Sequence, residues 1–350
     1  MVPAGSERVA LKISDIFPDA PVFTSVYFPD NTFPEFRKKE VHTLPFSNLV
    51  KTERQFKGLY PLWYLGFSFL DLSEFDIIIS SANYLAKFIN PPKSAVHICY
   101  LHNPIRFLWK PDVYSYKSIP YGRLSLFLIR SLLPILRKFD VTKTRKIKHI
   151  LTNSKNIANQ IQKNYQLESE VVYPPVDVNT FKVYCTPGDY YLYAGRLISH
   201  KRVDVAINAC NQLKRKLIVA GDGLERENLQ KLAGDTVQFV GRITDEQLKE
   251  LYANCKALIF PSDEDFGLVP IEVQSSGRPV IAYRSGGALE TVVEDKTGVF
   301  FDRQDEMSLK EAILRFEDMK FSADIIRQNA LRFDIQEFNK RLLNYVKRFE

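Results

Sequence analysis

The chain has few cysteines and none in a pair. Cys99, Cys185, Cys210 and Cys255 are scattered and form no C-x-x-C, which excludes a disulfide framework or a cysteine zinc site and fits a reducing compartment. Long apolar runs are also lacking. "LYPLWYLGFSFL" (59–70) is interrupted by Pro61, and "LSLFLIRSLLPIL" (124–136) by Arg130 and Pro134. Both fall short of the roughly 20 residues that span a bilayer. The opening "MVPAGSERV" has no basic segment leading into an apolar one, so no secretory signal is expected. No G-x-G-x-x-G follows a first strand, which argues against a dehydrogenase, and no internal repeat or low-complexity tract is visible. These absences together lead to an expected cytoplasmic protein, with peripheral attachment to the inner membrane face as the one membrane option.

What is present is an ordinary globular composition, 45% hydrophobic and 25% charged, over 350 residues. That length exceeds one comfortable core and predicts two domains. The net charge of +7 is uneven. Between 119 and 150, Arg123, Arg130, Arg137, Lys138, Lys143, Arg145, Lys146 and Lys148 face a single acid, Asp140, so this segment alone matches the excess of the whole chain. Basic residues interleaved with leucines suit an anionic membrane surface; a solvated helix face over a buried leucine stripe explains them equally. No recognised nucleic-acid motif accompanies the charge, so nucleic acid is not an expected partner.

From about 190 onward, short β-rich runs alternate with amphipathic segments. "YYLYAG" (190–195), "KLIVAG" (216–221), "VQFVG" (237–241), "ALIFP" (257–261), "PVIAY" (279–283) and "GVFF" (298–301) read as strands. "KRVDVAINACNQL", "LERENLQKLAG", "TDEQLKELYANC" and "PIEVQSS" read as helices, the third opened by a Thr244–Gln247 capping box. Continuous apolar strands between helices predict a buried, doubly wound parallel α/β sheet. The first half is similar but less regular, with strands expected in "VFTSVY" (22–27), "FDIIISSA" (75–82), "HICYLHNP" (97–104) and "HILTNS" (149–154), and a helix at 154–165 capped by Ser154. "EVVYPPVDVNTF" (170–181) is the best linker. The expected division is a Rossmann-like domain at 1–174, a second at 175–331, and a helix at 332–350 returning to the first, with a cleft between the domains.

One stretch asks for chemistry. "DEDFGLVPIEVQSSGRPVIAY" (263–283) sets Asp263, Glu264 and Asp265 before Phe266–Gly267 and places Glu272 in an apolar run. Pro270 suits a first helical position and Gly277 a left-handed residue after the last turn, predicting a short helix, about 269–276, with Glu272 in its first turn. An acid there can simply complement the helix dipole. A carboxylate also has two acceptor oxygens that match the two hydroxyls of a ribose. In "YAGRLISHKR" (193–202), Arg196 and Lys201 follow a strand and can reach the same sheet edge, where two cations would neutralise a diphosphate. Either alone is an ordinary surface cation.

Glu264 and Glu272, in E-x7-E spacing, together with "GRLISHKRVDVAI", "VAGDG", "FVGRITDEQLKELYANCKALIFPS" and "SGGALETV", resemble the large retaining glycosyltransferase family of the GT-B fold (glycosyltransferase family 4, group 1). "YLHNPIRFLW" (100–109), "TNSKNIANQI" and "YPPVDVNTF" extend the similarity toward mannosyltransferases of polysaccharide and lipid-linked oligosaccharide assembly. The resemblance implies catalytic roles for Arg196, Lys201, Glu264 and His102. It implies donor binding by Glu272, Asp265, Phe266, Gly267, Leu268 and Val269, with Val240 and Gly241 near the base. Glu272 would hold the ribose, Glu264 the sugar hydroxyls, and Arg196 with Lys201 the diphosphate, while His102 would face the donor sugar. A histidine at a strand end is otherwise a hydrogen-bonded structural residue. The implied substrate is a nucleotide-sugar, GDP-mannose first and a UDP-hexose as the alternative, with a glycan or polyprenyl-linked acceptor, no cofactor and no metal.

The sequence departs from the family at its start. The family opens with a strand and a Gly-Gly loop that touches donor phosphates, whereas here the second glycine is Ser6. The first domain is therefore expected to lack its usual first strand, with Gly5 and Ser6 as donor contacts. A nucleotide-binding but catalytically idle chain, and an epimerase or hydrolase on the same scaffold, are the competing readings.

Overall fold

Each short apolar run of the second half becomes a parallel strand, and each amphipathic segment a helix, because strands buried on both faces need helices on both sides. The computed structural model describes residues 5–110 and 122–350, and all of their side chains except those at 53, 54, 57 and 122–130. The chain divides into two compact units, Met1–Pro175 with Phe338–Glu350, and Val176–Glu337.

In the first unit the first described element is a helix, α1 (Gly5–Ile16). There follow β1 (Val22–Thr24), β2 (Val41–Thr43), α2 (Glu53–Gly58), α3 (Tyr60–Ser68), β3 (Ile77–Ala82), β4 (Val96–Leu101), α4 (Arg106–Trp109), α5 (Gly122–Thr144), β5 (His149–Thr152), α6 (Lys155–Tyr165) and β6 (Glu170–Val171). The strands form two parallel sheets: β1 pairs only with β2, and the other four run in the order β3-β4-β5-β6. The "VFTSVY" strand is thus shorter than expected, and β2 and β6 carried too few apolar residues to be anticipated. Val9, Ile98, Tyr100 and Leu151 form a core that Phe338, Leu342 and Val346 complete. Those last residues lie on α14 (Ile335–Val346), whose part from Phe338 onward belongs to this unit. Ser154 caps α6 by accepting the Ile157 N–H at 3.1 Å, as its position predicted.

The second unit contains β7 (Tyr190–Ala194), α7 (Val203–Leu213), β8 (Lys216–Ala220), α8 (Arg226–Leu232), β9 (Val237–Gly241), α9 (Asp245–Asn254), β10 (Ala257–Phe260), α10 (Leu268–Ser275), β11 (Val280–Tyr283), α11 (Ala288–Thr291), β12 (Gly298–Phe301), α12 (Glu306–Glu317) and α13 (Ala323–Ala330). Its six strands run in the order β12-β11-β10-β7-β8-β9, all parallel. Leu217, Val219, Ile259, Ile281 and Val299 of the sheet, with Val203, Ile207, Leu309 and Ile313 of α7 and α12, make a fully buried core. The Thr244–Gln247 capping box forms at the start of α9.

The division between the units falls inside the 170–181 linker, whose Val172, Val176 and Val178 are buried, and Val176 exchanges backbone hydrogen bonds with Phe333 and Ile335, both at 3.0 Å. Of the basic 119–150 segment, 119–121 and the side chains at 122–130 lie outside the described residues, among which no helix is long and apolar enough to cross a membrane. One expectation is corrected. Gly5 and Ser6 stand in the first turn of α1 rather than in a loop, because the apolar spacing of Val9 and Ile13 carries the helix back to Gly5.

Candidate active site

Strand order reverses between β10 and β7, and a doubly wound sheet opens a crevice beyond the carboxyl ends of its strands at such a point. The loops after these two strands carry Arg196 and Lys201 on one side and Glu264 and Asp265 on the other. The Lys201 ammonium donates to the Glu264 carboxylate directly across the switch point. Ser262 Oγ donates to the same carboxylate oxygen at 3.1 Å. Both partners of the ion pair are only partly exposed, at 13% for the Lys201 side chain and 23% for Glu264, so the attraction is less screened than at an open surface. Arg196 is exposed, on the same loop. Beneath it, Tyr193 is buried and donates to the Arg196 carbonyl at 3.2 Å; burial, with the Glu264 carboxylate nearby, raises its pKa and keeps it neutral.

The acidic loop owes its shape to neighbours that hold it from behind. Gly287 N–H donates to the Glu264 carbonyl at 2.8 Å, and Ser285 Oγ donates to Asp263 at 2.9 Å. A Cβ on Gly286 would meet the Glu264 carbonyl at 2.2 Å, and one on Gly287 the Phe266 carbonyl at 2.1 Å. The pair of glycines after Ser285 is therefore a steric requirement of this loop. Asp263, Glu264 and Asp265 consequently diverge, with Asp263 exposed and Asp265 buried. Among the described residues, no group of three or more His, Cys, Asp and Glu is placed to hold a metal ion.

Phe266 turns inward and packs edge-on against Phe333 at 5.7 Å, leaving the backbone of Gly267, Leu268 and Val269 at the mouth of α10. Gly267 precedes the helix with φ +88°, and Gly277 follows it with φ +69°, the expected left-handed end. The start was misjudged. Leu268 is the first helical residue, so Pro270 is the third and Glu272 the fifth, in the second turn. The left-handed Gly267 starts the helix two residues ahead of Pro270, earlier than the proline preference for a first position suggests. Interaction with the helix dipole falls off within the first turn, which weakens the dipole explanation of Glu272. Glu272 is 8% exposed, and its carboxylate accepts the Tyr252 hydroxyl at 3.0 Å. Tyr252 is a site residue that sequence reasoning missed, because nothing in "KELYANC" separates it from core. Ser262 was missed likewise.

Val240 and Gly241 end β9, with Gly241 at φ +70° beside the Arg226 guanidinium. They lie two strands from β7 on the same side as β8. In the first unit, His102 immediately follows β4. It is 5% exposed, its Nε2 shares a hydrogen bond with Ser81 Oγ at 2.8 Å, and Asn153 donates to its carbonyl at 3.0 Å. Burial pushes the imidazole down to about 3, so it is neutral at pH 7. These are the contacts of the hydrogen-bonded strand-end alternative.

The parallel two-unit architecture is that of the GT-B glycosyltransferases, and the second unit places its acidic and basic residues at a switch point. Residues 186–333 match the family described as Glycosyl transferases group 1. Over 324 residues the chain is 25% identical to the O-antigen chain mannosyltransferase RfbU of Salmonella typhimurium, covering 89% of this chain and 86% of that one. A D-inositol 3-phosphate glycosyltransferase of Streptomyces avermitilis is 29% identical over 208 residues, which cover 48% of this chain and 44% of that one. Among solved structures, Anabaena HepE in complex with UDP has a TM-score of 0.72 at 19% identity, over 99% of this chain and 100% of that one. HepE has also been solved with UDP-glucose. The structural likeness establishes the fold, and the sequence similarity is to glycosyltransferases.

Proposed function

We propose that the chain is a retaining hexosyltransferase that moves mannose from GDP-mannose to a lipid-linked or polysaccharide glycan. The observation that carries this reading is the Lys201–Glu264 contact across the switch point, with Glu272 buried on the adjoining helix. A cation and a carboxylate held together there suit a ligand that brings both a diphosphate and a polyhydroxylated sugar. On donor binding, Lys201 and Arg196 take the diphosphate, Glu264 takes sugar hydroxyls, and Glu272 takes the ribose. The bond between the anomeric carbon and the phosphate oxygen breaks, and the acceptor oxygen bonds to that carbon from the same face. The acceptor proton passes to the departing phosphate oxygen, and the nucleoside diphosphate leaves. The two cations stabilise the negative charge that develops on it, so the step calls for no metal and no cofactor. Asp265, the backbone at Phe266–Val269, and Val240–Gly241 complete the donor contacts. Gly5, Ser6 and His102 are assigned on the resemblance alone.

Mannose is preferred because a relative that aligns over 89% of the chain is an O-antigen mannosyltransferase. A UDP-hexose donor is the second reading, favoured by the complexes of HepE with UDP and UDP-glucose. Incubating the protein with GDP-mannose or UDP-glucose and a polyprenyl-linked glycan acceptor, and following nucleoside diphosphate release, tests both. Release of GDP with an α-linked product supports the first reading, and release of UDP supports the second. Release of neither with acceptor present contradicts transferase function.

A further inference from the structure

The loop after β8 carries a charged pair that the transfer step does not use. Asp222 follows Gly221 just beyond the end of β8, and Arg226 opens α8 four residues on. The Arg226 guanidinium stands 3.6 Å from Asp222 Oδ1, and both side chains are 37% exposed. An exposed pair at that distance contributes little to stability. The backbone around it, in contrast, is tightly fixed. Leu197 N–H donates to the Asp222 carbonyl and Glu225 N–H to the Leu197 carbonyl, both at 2.9 Å. Gly195 N–H donates to the Ala220 carbonyl at 3.0 Å, and Gly221 N–H to the Gly241 carbonyl at 2.8 Å. A Cβ on Gly221 would meet the Gly195 carbonyl oxygen at 1.9 Å, and one on Gly223 the Leu197 carbonyl oxygen at 2.3 Å. Side chains are therefore excluded where these loops touch. The segments after β7, β8 and β9 form one shelf at the carboxyl edge of the sheet. Arg196 stands on its β7 side, and the Arg226 guanidinium lies beside Gly241 on its β9 side. Two strand spacings, about 10 Å, separate β7 from β9, a length that a nucleoside spans from its phosphate to the far edge of its base.

The pair has a definite hydrogen-bonding signature. Asp222 Oδ1 accepts the Gly223 N–H at 2.8 Å, which orients the carboxylate, and Oδ2 accepts no hydrogen bond from a described residue. Both oxygens thus retain lone pairs for a ligand. Arg226 has five N–H donors and, among the described residues, only this one ionic partner. A carboxylate beside a guanidinium suits a planar group with two parallel donors next to a carbonyl. Guanine alone among the common nucleobases presents that edge: its N1–H and N2 amino group lie side by side, with O6 adjacent. Uracil offers a single ring N–H between two carbonyls, and adenine has no ring N–H on that edge.

We infer that Asp222 and Arg226 read a guanine base, the carboxylate accepting from N1–H and the N2 amino group and the guanidinium donating to O6. The inference rests on the nucleotide-sugar reading above and adds a reason within the chain itself for GDP over UDP. Calorimetric titration with GDP, inosine diphosphate, xanthosine diphosphate, UDP and ADP tests it, on wild type and on Asp222→Asn. Wild type is expected to bind GDP about ten-fold or more tighter than UDP, ADP and inosine diphosphate, the last of which lacks only the 2-amino group. Asp222→Asn is expected to weaken GDP about ten-fold and to let xanthosine diphosphate overtake it, because the C2 carbonyl of xanthine accepts from the introduced amide. The amide oxygen can still accept the Gly223 N–H, so the ligand-free melting temperature should match that of wild type. Equal weakening of GDP and xanthosine diphosphate in the variant makes Asp222 merely structural and overturns the inference. Wild-type affinity that is equal for GDP, UDP and ADP, or highest for UDP, overturns it too while leaving the crevice a nucleotide site. Binding of no nucleoside diphosphate contradicts the nucleotide reading itself, and the guanine assignment falls with it.

Discussion

The two ends of the second unit's sheet use the same residue types in opposite ways. At the amino end, Glu317 receives hydrogen bonds from Arg215 at 2.8 and 2.9 Å, from Lys256 at 2.9 Å and from Tyr191 at 2.8 Å. These donors sit at or just before the starts of β7, β8 and β10, so one carboxylate ties three strands to α12. The Arg215 guanidinium, followed by Lys256 and Tyr191, holds the Glu317 carboxyl down to about 2. At the carboxyl end, Glu264 contacts Lys201 and Ser262, but Arg196 beside them is exposed and has no ion-pair partner among the described residues. In the first arrangement both cations donate to the one carboxylate and hold strands together. In the second, Lys201 is paired while Arg196 is exposed at the edge where ligands bind. An exposed cation with no ion-pair partner among the described residues thus separates the candidate site from the structural cluster.

Breaking the second arrangement should cost rate more than stability. Lys201→Ala should slow transfer about 100- to 1000-fold, the range for losing one donor to developing charge, with urea stability within about 0.5 kcal/mol of wild type. Steady-state kinetics beside an unfolding curve check this. Glu272→Gln should weaken donor binding about ten-fold or more, since a hydrogen bond to a charged group contributes about 1.5–3 kcal/mol, and calorimetry reads it. Glu317→Ala should do the reverse, lowering stability by about 1–3 kcal/mol with donor affinity unchanged. Equal losses of affinity in both variants would remove the distinction between the two ends. Gly286→Ala should destabilise by about 1–2 kcal/mol for its left-handed backbone at φ +54°. It should also lower activity further by pushing the Glu264 carbonyl.

The smallest effect is on pH. Burial lowers His102 to about 3 and His97 to about 4, below the ordinary histidine value near 6.5. The unfolded chain therefore binds more protons between those values, and the stability from burying neutral imidazoles is present above about pH 6.5 and lost as pH falls through that window. Glu317, lowered from 4.5 to about 2, adds a loss below about pH 4.5. Unfolding midpoints across pH should fall first near 6.5 and more steeply below 4.5, and Glu317→Ala should flatten only the second part.

Much of the second unit was legible because its strands are continuous apolar runs with capped helices between them. All six strands expected from 190 onward form, to within a residue at each end. The first unit was less legible for a physical reason: β1, β2 and β6 are two or three residues long and only partly buried, too short to show a period. Of the site, Glu264, Lys201 and Glu272 stood out as charges in unusual surroundings. Ser262, Ser285 and Tyr252 did not, since a serine or tyrosine that orients a carboxylate looks like any other until the chain brings them together. The start of α10 failed for a different reason: proline preference is a tendency, and the left-handed Gly267 overrode it.

The central claim is that the carboxyl end of this sheet binds a nucleotide-sugar through Glu272, Lys201 and Arg196. The most direct test is a thermal-shift panel of GDP, UDP, ADP, GDP-mannose and UDP-glucose on the wild-type protein and on Glu272→Gln. The expected result is a selective upward shift with GDP and GDP-mannose that shrinks in the variant. Absence of a shift with every nucleotide, or a shift equal in both proteins, would contradict the account.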